Sequence, residues 1–568
     1  MLTIRNFRVR IFTLGGDYME RIIPLKETLT IEFKSDLSKL ANSDFFEAIV
    51  AFANTEGGEL YVGVEDDGTI TGAHQEHLNP TTLSAFIANN TIPPISVRTE
   101  VVEDLLPVLK ISVPKSYNNV VATSSGKILR RRLKADGTPE NTPMFPFELA
   151  TRLSDLRLLD YTALPIQESK IDDLDPIEIE RLKKLILAYN GDKTLLDLEN
   201  VELLKSLGFV REVGDAVLPT IAGVLMVGKV DALKRHTPTM HSAFQVTEGT
   251  NVRVNDDFVL PILASIEKLT SYLEAWNQER EIEIGLFRMP APDFDKRALR
   301  EAIVNAYSHR DYSKMGRVRV AFSDDGLTIA NPGGFIEGIS VQNLLTAEPH
   351  GRNPLLADAL KRIGLAEKTG RGIDRIYEGS LIYGRMLPDY SSSTTVTVSL
   401  FIPKSNPDIQ IVRMISNEQN RTGRPLPINT LLVLNALKDA PRATVEELAI
   451  VVNLTETIVK IILEKSVENG LVEAFGNGKG RGYILSRSVY SDDSQRRGYV
   501  LQKDIDKTRH LELIQSLARE NEFISKSDVV QLLHVSEDRA YYLIKKLVET
   551  NVLKIVQKGH YAKYQIVN

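Results

Sequence analysis

The period of apolar and polar positions changes several times along the chain, and each change predicts a different kind of element. TLTIEFK (28–34) alternates with period two and predicts a strand, whereas DFFEAIVAFANT (44–55) carries the spacing of an amphipathic helix. GGELYVGVEDDGTITG (57–72) predicts a strand pair turning at Asp67-Gly68, and LPVLKISVPKS and KILRRRLKADG predict further strands. Residues 150–235 read as largely helical, with Asp175-Pro176 opening the clearest helix. From 236 strand and helix alternate: VRVAFSDDGLTIANPGGF is a hairpin around Asp325-Gly326, GRNPLLADALKRIG and TGRGIDRIYEGS are helices entered through turns, and TTVTVSLFIP is a closing strand. PDIQIVRMISNEQNRTGRPLP, rich in turn residues, reads as a linker.

Two final segments share one plan. NTLLVLNALKDAP, TVEELAIVV and TETIVKIILEKSVENG precede the strand-like LVEAFGNGKGRGYILS; RHLELIQSLAREN, SKSDVVQLLHV and SEDRAYYLIKKLVETN precede VLKIVQKGHYAKYQIV. Three helices followed by a two-stranded wing is the winged helix-turn-helix plan, met twice, with Thr455 and Ser536 as caps of the third helices. The expected organisation is multidomain α+β: an N-terminal extension (1–19), a mixed domain (20–155), a helical connector (156–235), an α/β sandwich (236–403), a linker (404–424) and two winged helices (425–490 and 500–568).

Composition narrows the chemistry. The 568 residues hold no cysteine, which excludes disulfides, thiolate zinc sites and cysteine nucleophiles and fits a reducing cytoplasm. No His-Glu-x-x-His pair occurs, and IAGVLMVG is too short to span a bilayer. The net charge of −6 means that nucleic acid must meet local basic patches. The second winged helix offers them: Arg539, Lys545 and Lys546 on its third helix, beside Tyr541 and Tyr542, and Lys558 in its wing.

ALREAIVNAYSHRDYS (298–313) stacks Glu301, Asn305 and His309 on one helix face beside an apolar stripe. An acid beside a carboxamide can hold a hydrated Mg²⁺ and orient a water toward a γ-phosphate. Glycines let backbone amides approach phosphates, and two glycine turns follow: Asn331-Pro332-Gly333-Gly334 after a strand, and Gly370-Arg371-Gly372 before a helix. His309 and Arg310 suit a helix C-terminus and read as braces. No Gly-x-x-x-x-Gly-Lys-Ser/Thr loop exists, which speaks against a helicase motor.

The ordered set AIVNAYSHRDYS, IANPGGF, GRNPLLADAL and GLAEKTGRGIDRI resembles the GHKL ATPase fold with its Bergerat nucleotide site, and most closely its RecG C-terminal-like branch. That resemblance implies ATP and Mg²⁺ as cofactors, with Glu301 as the base of hydrolysis and Asn305 as the magnesium ligand. It also implies that Asn331, Gly333 and Gly334 stand at the adenine-side box and that Gly370 and Gly372 form the phosphate turn. The wider superfamily carries Asp-x-Gly-x-Gly where this chain has Asn-Pro-Gly-Gly.

Residues 27–72, through EFK and FANTEGGELYVGVEDDG, resemble the Schlafen-type AlbA-like domain. The resemblance implies a metal-dependent (Mg²⁺ or Mn²⁺) nuclease site made by Glu27, Glu32 and a third carboxylate among Glu65, Asp66 and Asp67, with Asp66 standing for that group. Arg130 and Arg132 share one strand face and suit phosphate contact, with an intramolecular pair as the alternative. The expected function is a nucleotide-responsive DNA-binding regulator that forms a homo-oligomer. The alternatives are an ATP-gated nuclease acting on RNA or DNA in phage defence and an oligomer-forming interaction protein.

Overall fold

The structure is a computed structural model and describes residues 10–12, 18–20, 22–156, 158–284, 287–336, 338–348, 350–367, 370–440, 442–476, 481–486, 510–511, 513–519, 521, 523–533, 537–557 and 562–567. The chain divides into two compact units: residues 1–274, 300–373 and 389–401 form the first, and 275–299, 374–388 and 402–568 the second.

The first unit opens with a four-stranded sheet in the order Ile31–Lys34, Gly58–Val62, Pro107–Val113, Arg98–Glu103. The first two strands are parallel, so a crossover must join them, and the predicted helix supplies it as Asn42–Ala53. Its Phe45, Ile49, Val50 and Phe52 pack against Leu60, Leu109 and Ile111 to form the core of this part. The turn at Asp67-Gly68 forms as expected, although the returning arm is only an isolated bridge between Val64 and Ile70. Gly63 sits at φ 97°, and its carbonyl accepts from Thr71 and Gly72; a side chain there would run into the Gly72-Ala73 backbone. Leu129–Leu133 and Pro139–Pro143 make a separate antiparallel ribbon in which Arg131 lies opposite Asn141.

The connector is less uniformly helical than its pattern predicts. Helices Pro176–Ala188, Asn200–Ser206, Ile221–Val227 and Val230–His236 are interrupted by a hairpin, Val210–Val213 with Ala216–Pro219, turned at Gly214 with φ 61°. A five-stranded sheet follows in the order Asn251–Phe258, Ser242–Glu248, Val318–Phe322, Gly326–Pro332, Thr397–Pro403. Its middle pair, Ser242–Glu248 with Val318–Phe322, is parallel.

In the second unit a hairpin, Glu279–Ile284 with Phe287–Pro292, contributes Ile282 and Ala291 to a small core with Tyr383 and Val412. Val412 belongs to a helix, Ile409–Thr422, where a linker was expected. Asp408 caps it through the amides of Gln410 (3.0 Å) and Ile411 (3.2 Å), Gly423 ends it in a left-handed turn, and Ile411, Met414 and Ile415 are buried on one face.

The two terminal segments repeat one arrangement. In the first, helices Ile428–Asp439, Val445–Val452 and Glu456–Glu468 precede a hairpin, Val472–Phe475 with Gly482–Leu485, which gains a third strand from Ala443–Thr444. In the second, helices Lys526–Leu533 and Glu537–Glu549 precede Leu553–Gln557 with Lys563–Ile566, joined by Ile524–Ser525. Thr455 caps its helix as expected, and Ser536 lies outside the described residues. Among the described residues no helix is long and apolar enough to cross a membrane.

Candidate nucleotide site and nucleic-acid surfaces

Helix Lys296–Ser308 begins on Asp295, whose carboxylate accepts from the amides of Arg297 and Ala298, each at 2.9 Å. Glu301 is buried and Asn305 half-buried, one turn apart as the spacing requires. Gly372, distant in sequence, lies directly on them. A β-carbon at Gly372 would strike the Glu301 carboxylate and stand 3.3 Å from Asn305 Nδ2. A glycine backbone, an acid and a carboxamide therefore meet at one point. Gly370, at φ 75°, sets up the turn that brings the chain there.

The Asn331-Gly334 box is wired to the end of the same helix. Asn331 is buried, and its Nδ2 donates to the Pro332 carbonyl at 3.2 Å. That carbonyl also accepts from the Asp311 amide, and the Gly333 amide donates to Val396 O. Gly333 is at φ 99°, and a side chain would meet Asp311 and the Arg352 guanidinium; at Gly334 it would meet the carbonyls of Thr394 and Thr395.

Arg352, which the sequence reading passed over, ties this corner together. It is buried and donates to Asp155 Oδ1 (2.8 Å), His309 O (3.3 Å) and Gly334 O (3.4 Å). Asn353 donates to the carbonyls of Ser308 (3.0 Å) and Arg310 (2.8 Å). The signal that could have found both was the dipeptide Arg352-Asn353 ahead of a Pro-opened helix, since unpaired carbonyls at a helix end call for donors.

Arg310 acts as the expected brace. Its fully buried guanidinium donates to the carbonyls of Asp311 (3.1 Å), Gly316 (2.8 Å), Lys314 (3.3 Å) and Thr239. Burial, joined by the charges of Arg352, His350 and Lys361, pushes the His309 pKa down to about 4, so the imidazole is neutral near pH 7. Burial works against the Asp311 carboxylate, but the Ser313 hydroxyl at 2.6 Å, Arg352 and Lys314 outweigh it and hold it below its ordinary range.

The N-terminal carboxylates are not arranged as the nuclease expectation requires. Glu32 is buried and both its oxygens are engaged: Oε1 by Lys34 (2.8 Å) and Asn141 (2.9 Å), Oε2 by Arg131 (2.6 Å) and Asn141 (3.0 Å). Glu27 accepts from the Phe33 amide at 2.8 Å; burial, with a smaller push from the Glu32 charge, raises its carboxyl above the ordinary range. Glu65 accepts from the Thr71 hydroxyl, Asp67 from the Thr69 amide, and Asp66 is exposed. Among the described residues no three His, Asp or Glu side chains are grouped to hold a metal ion. Arg130 and Arg132 form intramolecular pairs, with Glu148 and Glu140 respectively, rather than a bare phosphate-facing pair. The strand's alternation turns Arg131 to the opposite, buried face, and it is this residue that holds Glu32.

The exposed faces of the two repeated third helices differ. Glu537–Glu549 presents Tyr541, Tyr542, Lys545 and Lys546. Glu456–Glu468 presents Ile458 and Ile461, and the preceding helix exposes Ile450 and Val451. The side chain of Arg539 and all of Lys558 lie outside the described residues.

Three segments match known families. Residues 27–137 match the Schlafen, AlbA_2 family model. Residues 316–400 match the family described as ATP-dependent DNA helicase recG C-terminal, a span that includes the two glycine turns but not Glu301 or Asn305. Residues 153–243 match a domain of unknown function, so the AlbA_2 domain and the RecG C-terminal-like domain are separated by a third unit of sequence. No curated protein matches the chain. Among solved structures, the DIP2311 protein from Corynebacterium diphtheriae is 19% identical, with 96% of each chain covered and a TM-score of 0.48. A MarR family transcriptional regulator from Silicibacter pomeroyi DSS is 17% identical over 25% of this chain and 84% of its own, with a TM-score of 0.11.

Proposed function

We propose that this chain is a nucleotide-responsive DNA-binding protein, a transcriptional regulator in which ATP and Mg²⁺ at a GHKL-type site control the arrangement of its DNA-binding modules in a cytoplasmic homo-oligomer. The observation that carries this reading is the seating of the Gly372 backbone on Glu301 and Asn305. Only glycine fits that contact, and a close backbone, an acid and a carboxamide are the groups that a hydrated cation and a phosphate chain need. Asn305 would hold the magnesium ion through its carboxamide oxygen, and that ion supplies the charge that offsets the triphosphate. Glu301 would orient and deprotonate the attacking water. Gly333 and Gly334 would face the adenine side. The matches to the AlbA_2 and RecG C-terminal families support nucleic acid and ATP as ligands.

The test is calorimetry with Mg-ATP on the full chain. The natural protein binds, and Asn305→Ala weakens binding by about tenfold or more, since the magnesium ion loses its carboxamide oxygen ligand. Equal affinities would remove Asn305 from the site.

A ligand shifts an arrangement of domains only if it prefers one of them, so DNA affinity should differ with and without ATP. Duplex contact is assigned to the second repeated module, as a winged helix whose helix Glu537–Glu549 carries lysines beside tyrosines. Lys545→Ala with Lys546→Ala should reduce the slope of log affinity against log salt by about two, roughly one per lost phosphate contact. An unchanged slope would take this face off the DNA.

A further inference from the structure

Arg371 stands between the two glycines of the phosphate turn, and its position gives it a task that neither glycine can perform. Gly370 takes a left-handed backbone at φ 75°, and Gly372 lies on the Glu301 carboxylate, so the residue between them is held within one peptide of the acid. Arg371 is exposed, and among the described residues its guanidinium has no hydrogen bond or ion pair. That is unusual company for this site. Arg300, beside Glu301, lies over the Tyr189 ring, and Arg310 and Arg352 are spent on carbonyls and on Asp155.

The electrostatics call for such a cation. Glu301 is buried, and a triphosphate brings several negative charges toward it. One magnesium ion leaves part of that charge uncompensated, and the terminal phosphate carries the most. An arginine reaches a phosphate with two parallel N–H donors, and its planar fork suits tetrahedral oxygens. Backbone amides at a glycine turn contact whichever phosphate lies over them, so they do not by themselves separate a triphosphate from a diphosphate.

We propose that Arg371 reads the terminal phosphate of the bound nucleotide, and so makes the site selective for a nucleoside triphosphate over the diphosphate. This rests on the nucleotide reading given above and specifies what that site distinguishes. The turn carrying Arg371 is thereby drawn toward the ligand only when a third phosphate is present, which is the differential contact that a nucleotide-dependent rearrangement needs.

The experiment is calorimetric titration of the full chain with Mg-ATP and separately with Mg-ADP, for the natural protein, Arg371→Ala, Arg371→Lys and Asn305→Ala. Arg371→Ala should lose about tenfold or more in ATP affinity while ADP affinity moves by less than about twofold, and Arg371→Lys should recover part of the loss. Because Arg371 is exposed, its variants should melt with the natural protein, which a thermal scan checks. Equal losses for ATP and ADP, or no loss for either, would overturn the assignment. If Asn305→Ala abolishes binding while Arg371→Ala leaves the ATP-to-ADP ratio unchanged, the nucleotide site stands and the role of Arg371 falls. If the natural protein binds neither nucleotide, both readings fall together.

Discussion

Arg131→Met is expected to destabilise the N-terminal sheet by roughly 3–5 kcal/mol, the range for removing one partner of a buried ion pair. The Arg131 and Glu32 side chains are 2% and 4% exposed, so water cannot replace what the substitution removes. Arg131 does more than pair with Glu32. Its guanidinium donates to the carbonyls of Thr28 (3.2 and 3.1 Å) and Ile31 (2.8 Å) and to Asn141 Oδ1 (3.1 Å), and lies 4.9 Å from the Phe52 ring centre. Methionine fills the volume against Phe52 but leaves the Glu32 carboxylate with Lys34 and Asn141 alone, takes the donor from Asn141 Oδ1, and leaves the Thr28 and Ile31 carbonyls with only each other's amides. Hydrogen exchange along Ile31–Lys34 is the right measurement, because a chain of several domains does not unfold in one step. Protection should fall there and persist in the five-stranded sheet. A double variant, Arg131→Met with Glu32→Leu, should recover part of the loss, since the charge left behind is the larger cost. A loss below about 1 kcal/mol in the single variant would mean that this cluster is solvated, like an ordinary surface pair, and would reopen Glu32 to a metal.

The same strand shows what the sequence could and could not deliver. LRRRL predicts its own alternation, and the position of Arg131 on the face opposite Arg130 and Arg132 was available from period two alone. Which of the two faces is buried depends on the helix Asn42–Ala53 packing over it, and that is a tertiary fact. The acid–carboxamide pair on Lys296–Ser308 was legible because helical period fixes it locally. The meeting with Gly372 is not local; only the order of motifs pointed to it, and packing made it a contact. Ile409–Thr422 was missed for the opposite reason. Pro407, Gly423 and Pro425 outweighed the buried Ile411, Met414 and Ile415, yet those turn residues flank the helix, and Asp408 and Gly423 are its start and stop. The hairpin at Gly214 broke a helical reading because strands of four residues are too short to show a period against apolar helices on both sides. Arg352 gave only the local cue of Arg352-Asn353 ahead of a Pro-opened helix, and that cue could not name its partners, because Asp155, His309 and Gly334 come from three separate segments.

Acidification should expose that junction. His309 has an ordinary pKa of 6.5 and a folded value of about 4, with burial as the chief cause and Arg352, His350 and Lys361 adding positive charge around it. Between those two pH values the unfolded chain takes up a proton that the folded chain refuses, so unfolding is favoured, and increasingly so as pH falls. Near pH 7 the group contributes nothing; by pH 4 it costs up to about 3 kcal/mol. His309→Gln removes the titrating group while keeping a polar side chain. Stability curves of the two proteins should therefore run together above pH 7, and the natural protein should fall below the variant from pH 6.5 downward. Asp311, held below its ordinary range, loses its own contribution only at lower pH, beneath the ordinary carboxylate value of 3.8, so it does not imitate this window. The acidic opening should begin where Arg352 bridges His309 and Gly334, since a protonated imidazole there adds a second cation beside the guanidinium. Parallel curves for His309→Gln and the natural protein, or an NMR titration of His309 near 6.5, would show that the imidazole is solvated and that the corner around the glycine box is looser than its hydrogen bonds require.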